Sequence, residues 1–216
     1  ELQTARAKER YAGVHNCPTV RCYDSLVPLV CPIYRRNSAM PVVPQAFSAL
    51  VSTLNLANFT AAELLTRTDR PTNSVPPQTI WQNIAPTILV LQAARTLFGG
   101  SIRFNSVYRS ERYNSHISDA AALSQHIAFN AIDFAPTNAG GLTALHGIVK
   151  GLRDAWVAAP RRFGRAQVAV VAGNIAFTPL EWREVAGRAE FRFRGGLKLY
   201  NTFIHIDTRG VNVNWG

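Results

Sequence analysis

The chain has 216 residues, 47% hydrophobic and 17% charged, enough for one well-buried core with an added arm. With 23 Lys and Arg against 13 Asp and Glu, its net charge is +10, which favours partners of negative potential: nucleic acid, an anionic membrane face or a bacterial cell wall. No apolar run reaches the roughly 18–20 residues of a membrane-spanning helix, and no charged head leading into an apolar stretch and a small-residue cleavage site opens the chain, so neither a span nor a signal peptide is expected.

Residues 1–12 suit a helix that Gly13 ends. From Val14 to Pro44 five prolines and all three cysteines, Cys17, Cys22 and Cys31, interrupt any sustained period, so residues 1–40 are expected to form an irregular arm or docking segment and residues 41–216 the main domain. The cysteine spacings are not the close pairs of a structural zinc site. Either one local disulfide with a third thiol left over, free or paired between chains, or three buried thiols fits them. Pro44–Thr66 reads as one or two short helices, with Thr60 capping the second above Glu63, and Thr68–Pro77 as a turn-rich loop. Ile80–Leu97 carries the strongest helical period and is stopped by Gly99-Gly100, with Pro86 marking a later start. Strands are expected at Ser101–Tyr108, Ala131–Ala135, Gln167–Ala172, Ala189–Arg194 and Phe203–Thr208, the last two joined through Gly195-Gly196. Leu142–Val157 reads as a helix and Pro179–Ala186 as a short helical or turn element. Helices first, then strands with one long crossover helix, indicate an α+β domain with a mainly antiparallel sheet.

Arginines cluster at Arg153–Arg165 and Arg183–Lys198, with Trp156, Phe163, Phe191 and Phe193 among them. Such interleaving suits single-stranded nucleic acid. Phe191-Arg192-Phe193-Arg194 also has the period of a half-buried strand, and the strand reading is preferred here, so nucleic acid is not the expected partner.

The chemistry concentrates in the C-terminal half. His126 and Asp133 are seven residues apart on a segment running from a loop into a strand, where a bend would bring imidazole and carboxylate to one point. His205 lies mid-strand among Phe203, Ile204 and Ile206, where an unpaired imidazole is costly. Alternation sets Phe203, His205 and Asp207 on one strand face, so Asp207 can orient a ligand from beside the metal; a buried His–Asp pair of structural role is the other reading. Two histidines and one carboxylate suit an open zinc site, which leaves room for an activated water. Arg109, just past a strand, can reach a carboxylate or an oxyanion at that site, or pair with Glu111 in a turn. His116 and His146 read as surface residues, and His15 has no visible partner.

Ser106-Val107-Tyr108-Arg109-Ser110 with Asn114, Ser124-Gln125-His126 leading to Ala131-Ile132-Asp133, and Leu199 to Asp207 (Leu-Tyr-Asn-Thr-Phe-Ile-His-Ile-Asp) together give the chain, from about Phe59 to Trp215, its resemblance to a known family. It resembles the D-alanyl-D-alanine carboxypeptidase-like zinc metallopeptidases, the group that includes VanX and VanY and shares its architecture with the hedgehog signalling domain. The resemblance implies Zn2+ held by His126, Asp133 and His205 near the strand ends, with Arg109 polarising the scissile carbonyl. It also implies peptidoglycan stem peptides as substrates, cut by a carboxypeptidase or an endopeptidase. One departure matters. Many relatives place a Glu three residues, or a His two residues, before the last ligand, and here those positions hold Thr202 and Phe203, so Asp207, then Glu181 or Glu184, are the candidates for proton transfer. Relatives with this ending are often phage proteins. A virion component or a protein of the extracellular or periplasmic cell wall is therefore expected, with the N-terminal arm docking on a neighbouring protein. The alternative is a catalytically weak or inactive virion structural or wall-binding protein that keeps the metal fold.

Overall fold

The computed structural model describes residues 42–118, 120–138, 140–159, 170–172 and 175–214; the readings of the arm, of most of its cysteine-bearing stretch and of residues 160–169 lie outside them. In chain order the elements are α1 (Gln45–Thr53), α2 (Ala61–Leu64), a 3-10 turn (Gln78–Asn83), α3 (Ile84–Phe98), β1 (Ile102–Ser106), α4 (Glu111–Asn114), β2 (Ala131–Pro136), α5 (Leu142–Asp154), β3 (Val157–Ala158), β4 (Val170–Ala172), β5 (Ile175–Phe177), β6 (Leu180–Val185), β7 (Arg188–Phe193), β8 (Gly196–Leu199), β9 (Ile204–Asp207) and β10 (Val213–Asn214). Five strands form the main sheet in the order β1-β2-β9-β8-β10, antiparallel except for the β8–β10 pair. A second sheet runs β3-β7-β6, and β4 pairs with β5 as a hairpin. This is the α+β, mainly antiparallel architecture that the helix and strand order implies. Among the described residues no helix is long and apolar enough to cross a membrane.

The helical entry follows local chemistry. Thr60 Oγ1 accepts the Glu63 backbone N–H at 3.3 Å, and the Glu63 carboxylate accepts the Thr60 N–H at 2.8 Å. This reciprocal box satisfies two donors that the first turn of α2 leaves bare. Thr60→Ala is expected to cost about 1 kcal/mol in urea unfolding, with Thr60→Ser close to the parent. α3 begins two residues before Pro86, not at it, because a proline inside the first turn lacks only an N–H that has no helical partner there. It stops where Gly99 takes φ +69°, a left-handed cap that a side chain would strain. Ile84, Ile88, Leu91 and Ala94 are buried along its length.

α3 and α5 pack on each other and on β2, and α5 also on β8. The core joins Ile88 and Leu145 of these helices to Ile132, Phe134, Ile204 and Ile206 of the sheet. Because successive side chains alternate, Asp133, His205 and Lys198 then lie on the other face, in register: Asp133 opposite His205, and His205 opposite Lys198.

Three sequence expectations are corrected. Pro179–Ala186 is not helical: Leu180–Val185 forms β6, zipped to β7 over six residue pairs. Its charged residues hid the alternation, yet they pair across to β7 and just beyond it, Arg183 with Glu190 and Glu181 with Arg192 and Arg194. β7 and β9 are not joined through Gly195-Gly196 alone, since β8 starts at Gly196. The helix from Leu142 ends at Asp154 and gives way to β3. In β7, Phe191 and Phe193 are fully buried, while Arg192 and Arg183 stand over the Trp156 ring at 4.5 and 4.7 Å.

Candidate metal centre

Ser106 closes β1 next to an irregularity. Phe104 pairs with Phe134, but the next partner of β2, Asp133, faces Ser106, so Asn105 is the extra residue of a bulge. Bulges re-aim the side chains beside them; here the Ser106 hydroxyl accepts from Arg109 Nε at 3.0 Å, and the Arg109 guanidinium ion-pairs with Asp133 Oδ2. Arg109 thus pairs with Asp133 and not with Glu111 in a turn.

The segment from His126 to Asp133 bends through a tight turn. Phe129 N–H donates to His126 O at 3.2 Å, and Asn130 N–H to Gln125 O at 3.2 Å. Phe129 holds φ +56°, a conformation costing a bulky residue about 1–2 kcal/mol. Packing offsets that cost: the ring is fully buried and contacts Tyr108 and Phe47, with centroids 5.8 and 6.0 Å away. From α3, Thr87 Oγ1 donates to Asn130 O at 2.8 Å and lies 2.8 Å from Thr208 Oγ1, and from the preceding turn Asn83 donates to Ala128 O at 2.9 Å. One helical segment therefore fixes both the turn before β2 and the end of β9.

Within this frame His126, Asp133 and His205 offer ligand atoms all within 4.8 Å of one another. His126 is 1% exposed. Its Nδ1 lies 2.6 Å from Val107 O, and because a carbonyl can only accept, Nδ1 carries the hydrogen and Nε2 the lone pair. That Nε2 is buried, has no hydrogen-bond partner, and faces Asp133 Oδ1 at 3.2 Å. His205 Nδ1 lies 2.8 Å from the same oxygen, and its Nε2 lies 3.2 Å from Asp207 Oδ2. Tetrahedral ligands about 2.0–2.1 Å from zinc are spaced by about 3.3 Å, so the two nitrogens and the shared oxygen fit a metal ion. The donor set, two imidazoles and one carboxylate, suits zinc chemistry.

The electrostatics point the same way. Burial alone would raise the Asp133 carboxyl, but the His126 and His205 imidazoles beside it, the latter hydrogen-bonded to Oδ1, hold it well below the usual carboxylate range. Burial pushes the His126 imidazole down and keeps it neutral, as a ligand must be. Burial also opposes charge on His205, yet hydrogen bonds to Asp133 and Asp207 outweigh it and raise its pKa. Below that raised pKa a proton occupies the position on His205 Nδ1 that a metal would take. Binding must displace it, so affinity is expected to fall about tenfold per pH unit once the pH drops below the His205 value, and to start falling at a higher pH than for an ordinary histidine. Competition with a chromophoric chelator across pH 5–9 checks this.

Asp207 is fully buried. Its Oδ1 accepts from Gly196 N at 3.0 Å and Arg209 Nε at 2.8 Å, and its Oδ2 takes Arg209 and the His205 Nε2–H. Burial opposes its ionisation, but Arg209 and His205 hold its carboxyl well below the ordinary value. These bonds suit a group that orients His205. Both oxygens are engaged and the group is fully buried, so Asp207 is poorly placed as a proton acceptor. Glu181 is clamped by Arg192 and Arg194, and Glu184 lies on β6 with it. Where strand ends were expected, Asp133 and His205 stand inside β2 and β9, and only Arg109 and His126 come from connecting segments. His116 is exposed and His146 half-buried on α5, away from this group. Sequence reasoning missed the Val107 carbonyl, Ser106 and Arg209 as the partners that orient the site; the short spacing of Asp207 and Arg209 was the one available signal.

Residues 57–153 match the family model of Peptidase M15. The match spans less than half of the chain and includes Arg109, His126 and Asp133, while His205 lies beyond it. No curated protein and no solved structure matches the chain.

Proposed function

We propose that this chain is a zinc-dependent peptidase that hydrolyses peptidoglycan stem peptides, as a D-Ala-D-Ala carboxypeptidase or an endopeptidase. The observation that carries the reading is the buried, unpartnered His126 Nε2 turned toward Asp133 Oδ1, with His205 Nδ1 beside it, in a chain matched to Peptidase M15. His126, Asp133 and His205 would hold the ion, which supplies a Lewis acid and a water of lowered pKa.

The protein side of the chemistry follows from the contacts. Asp207 keeps the His205 hydrogen on Nε2, so Nδ1 presents its lone pair. Asp133, held ionised by Arg109 and the imidazoles, stays an acceptor at neutral pH. Arg109 has five N–H donors and spends only part of that fork on Ser106 and Asp133, so the remainder can polarise a scissile carbonyl and stabilise its oxyanion. A charge of +10 suits an anionic wall, and a virion or an extracellular or periplasmic cell-wall location suits such a substrate.

A second reading is favoured by one observation. Thr202 and Phe203 stand where relatives place a proton acceptor, and neither Asp207 nor Glu181 is disengaged enough to replace it. On that reading the chain is a wall-binding or virion structural protein that keeps the metal fold, docked on a neighbour by its N-terminal arm. Digestion of purified peptidoglycan by the zinc-loaded protein, with His126→Ala as control and fragments read by mass spectrometry, separates the two. The peptidase yields fragments only with His126 intact, and their masses identify the bond; zinc uptake without fragments supports the second reading.

A further inference from the structure

The hairpin joining β8 to β9 carries a side chain that the ligand set does not use. Lys198 faces His205 and Leu199 faces Ile204, and Tyr200 N–H donates to Phe203 O at 2.8 Å, extending the ladder by one more pair before the turn. By alternation Tyr200 and Phe203 lie on the same face as His205, two pairs further toward the turn. Their rings stack, centroids 4.3 Å apart and 15° from parallel, and the Lys198 ammonium stands 4.9 Å from the Tyr200 centroid. The ring is therefore held by a neighbour across the hairpin and by one along its own strand. Tyr200 is nevertheless 40% exposed, at the open edge of an otherwise buried polar cluster.

Two charges of that cluster reach the phenol. After burial, the Asp133 carboxylate is the largest influence raising its pKa, with Arg109 acting in the opposite sense. A phenol so placed keeps its hydrogen at neutral pH, and is a neutral donor at the exposed edge of the face that carries His205. Thr202 and Phe203, the positions from which a proton-transfer group would be expected, lie in the same turn and have no ionisable side chain.

We infer that Tyr200 is a catalytic residue of this site: its hydroxyl donates a hydrogen bond to the scissile carbonyl oxygen of the peptide and holds it more strongly as negative charge develops there, alongside Arg109. No proton leaves the phenol. This rests on the peptidase reading above and adds to it the second donor of an oxyanion site. A stacked ring could instead serve only to clamp the turn, and the two roles separate cleanly, because Tyr200→Phe keeps the ring, the Phe203 stack and the Lys198 contact and removes only the donor.

The experiment compares parent, Tyr200→Phe and Tyr200→Ala for cleavage of a stem-peptide substrate, for binding of a phosphinate pseudo-dipeptide of D-alanine by calorimetry, and for zinc affinity. Tyr200→Phe is expected to lower kcat about a hundredfold with KM little changed, to weaken the phosphinate by a similar factor, and to leave zinc affinity and thermal unfolding as in the parent. Equal kcat and equal phosphinate affinity in Tyr200→Phe and the parent overturn the inference while leaving the peptidase reading intact. A loss of zinc affinity or stability in Tyr200→Phe also overturns it, in favour of a structural role. A parent that neither cleaves the substrate nor binds the phosphinate overturns the peptidase reading and this inference with it.

Discussion

Asp133→Asn is expected to weaken zinc binding by roughly a thousandfold and to abolish metal-dependent peptide cleavage, while the chain still folds. Structural zinc sites draw about 10–16 kcal/mol from four ligands, so one charged ligand carries a few kcal/mol of that. Asparagine keeps the shape and can still accept from one neighbour, but it has no charge to offer a dication. It also disarms the arrangement around it. Oδ2 is ion-paired with Arg109 and Oδ1 faces both imidazoles, so the substitution leaves a half-buried guanidinium opposite a neutral amide and removes much of what raises the His205 pKa. The variant's residual metal binding should consequently compete with protons only at lower pH than in the parent. Chelator competition measures the affinity directly, and an unchanged value would remove Asp133 from the ligand set.

Gly195→Ala is expected to destabilise the metal-free protein by about 3 kcal/mol or more, and to disturb the site without touching a ligand. Gly195 links β7 to β8 in a crowded place: its N–H donates to Asn212 Oδ1 at 3.2 Å, and its carbonyl accepts from Val213 N–H at 3.2 Å. A Cβ there would overlap the Asp207 carbonyl oxygen and press on Thr208 Cα. Those are backbone atoms, so no side-chain rotation relieves the clash, and such overpacking costs about 1–3 kcal/mol or more. Relief must come from moving the end of β9, which carries Asp207 away from Gly196 N–H and with it the bond that orients His205. Urea unfolding reads the stability loss and zinc titration the accompanying loss of affinity. Parent-like values in both would mean that this approach of the two strands is not tight.

How much of this could be read from the residues alone differs between the site and the fold. That His126, Asp133, His205 and Arg109 come together in space was legible because each sits in a short phrase with a fixed order along the chain. Their geometry was not accessible. The bulge at Asn105 that brings Ser106 and Arg109 to Asp133 leaves no compositional mark, and the tautomer of His126 depends on the carbonyl of Val107, which any residue at that position would supply. α2 and α3 were legible through a capping box and a glycine stop, both local devices. β6 was not, since charged residues mask its alternation and their partners lie on β7, met only once the strands pair. β8 was hidden for a related reason: two glycines in sequence suggest a turn, whereas Gly195 is required by the close approach of Asp207. Asp207 shows the limit on roles. Its position beside a ligand suggested both orientation and proton transfer, and only its bonds to Gly196, Arg209 and His205 distinguish the two.

The most direct test of the account is to strip the protein of metal and titrate zinc back while following stem-peptide cleavage. Cleavage should rise in proportion to zinc, break at one equivalent per chain, and be absent throughout in Asp133→Asn. Cleavage that is undiminished without metal, or one tightly bound equivalent with no cleavage at any pH, would contradict it.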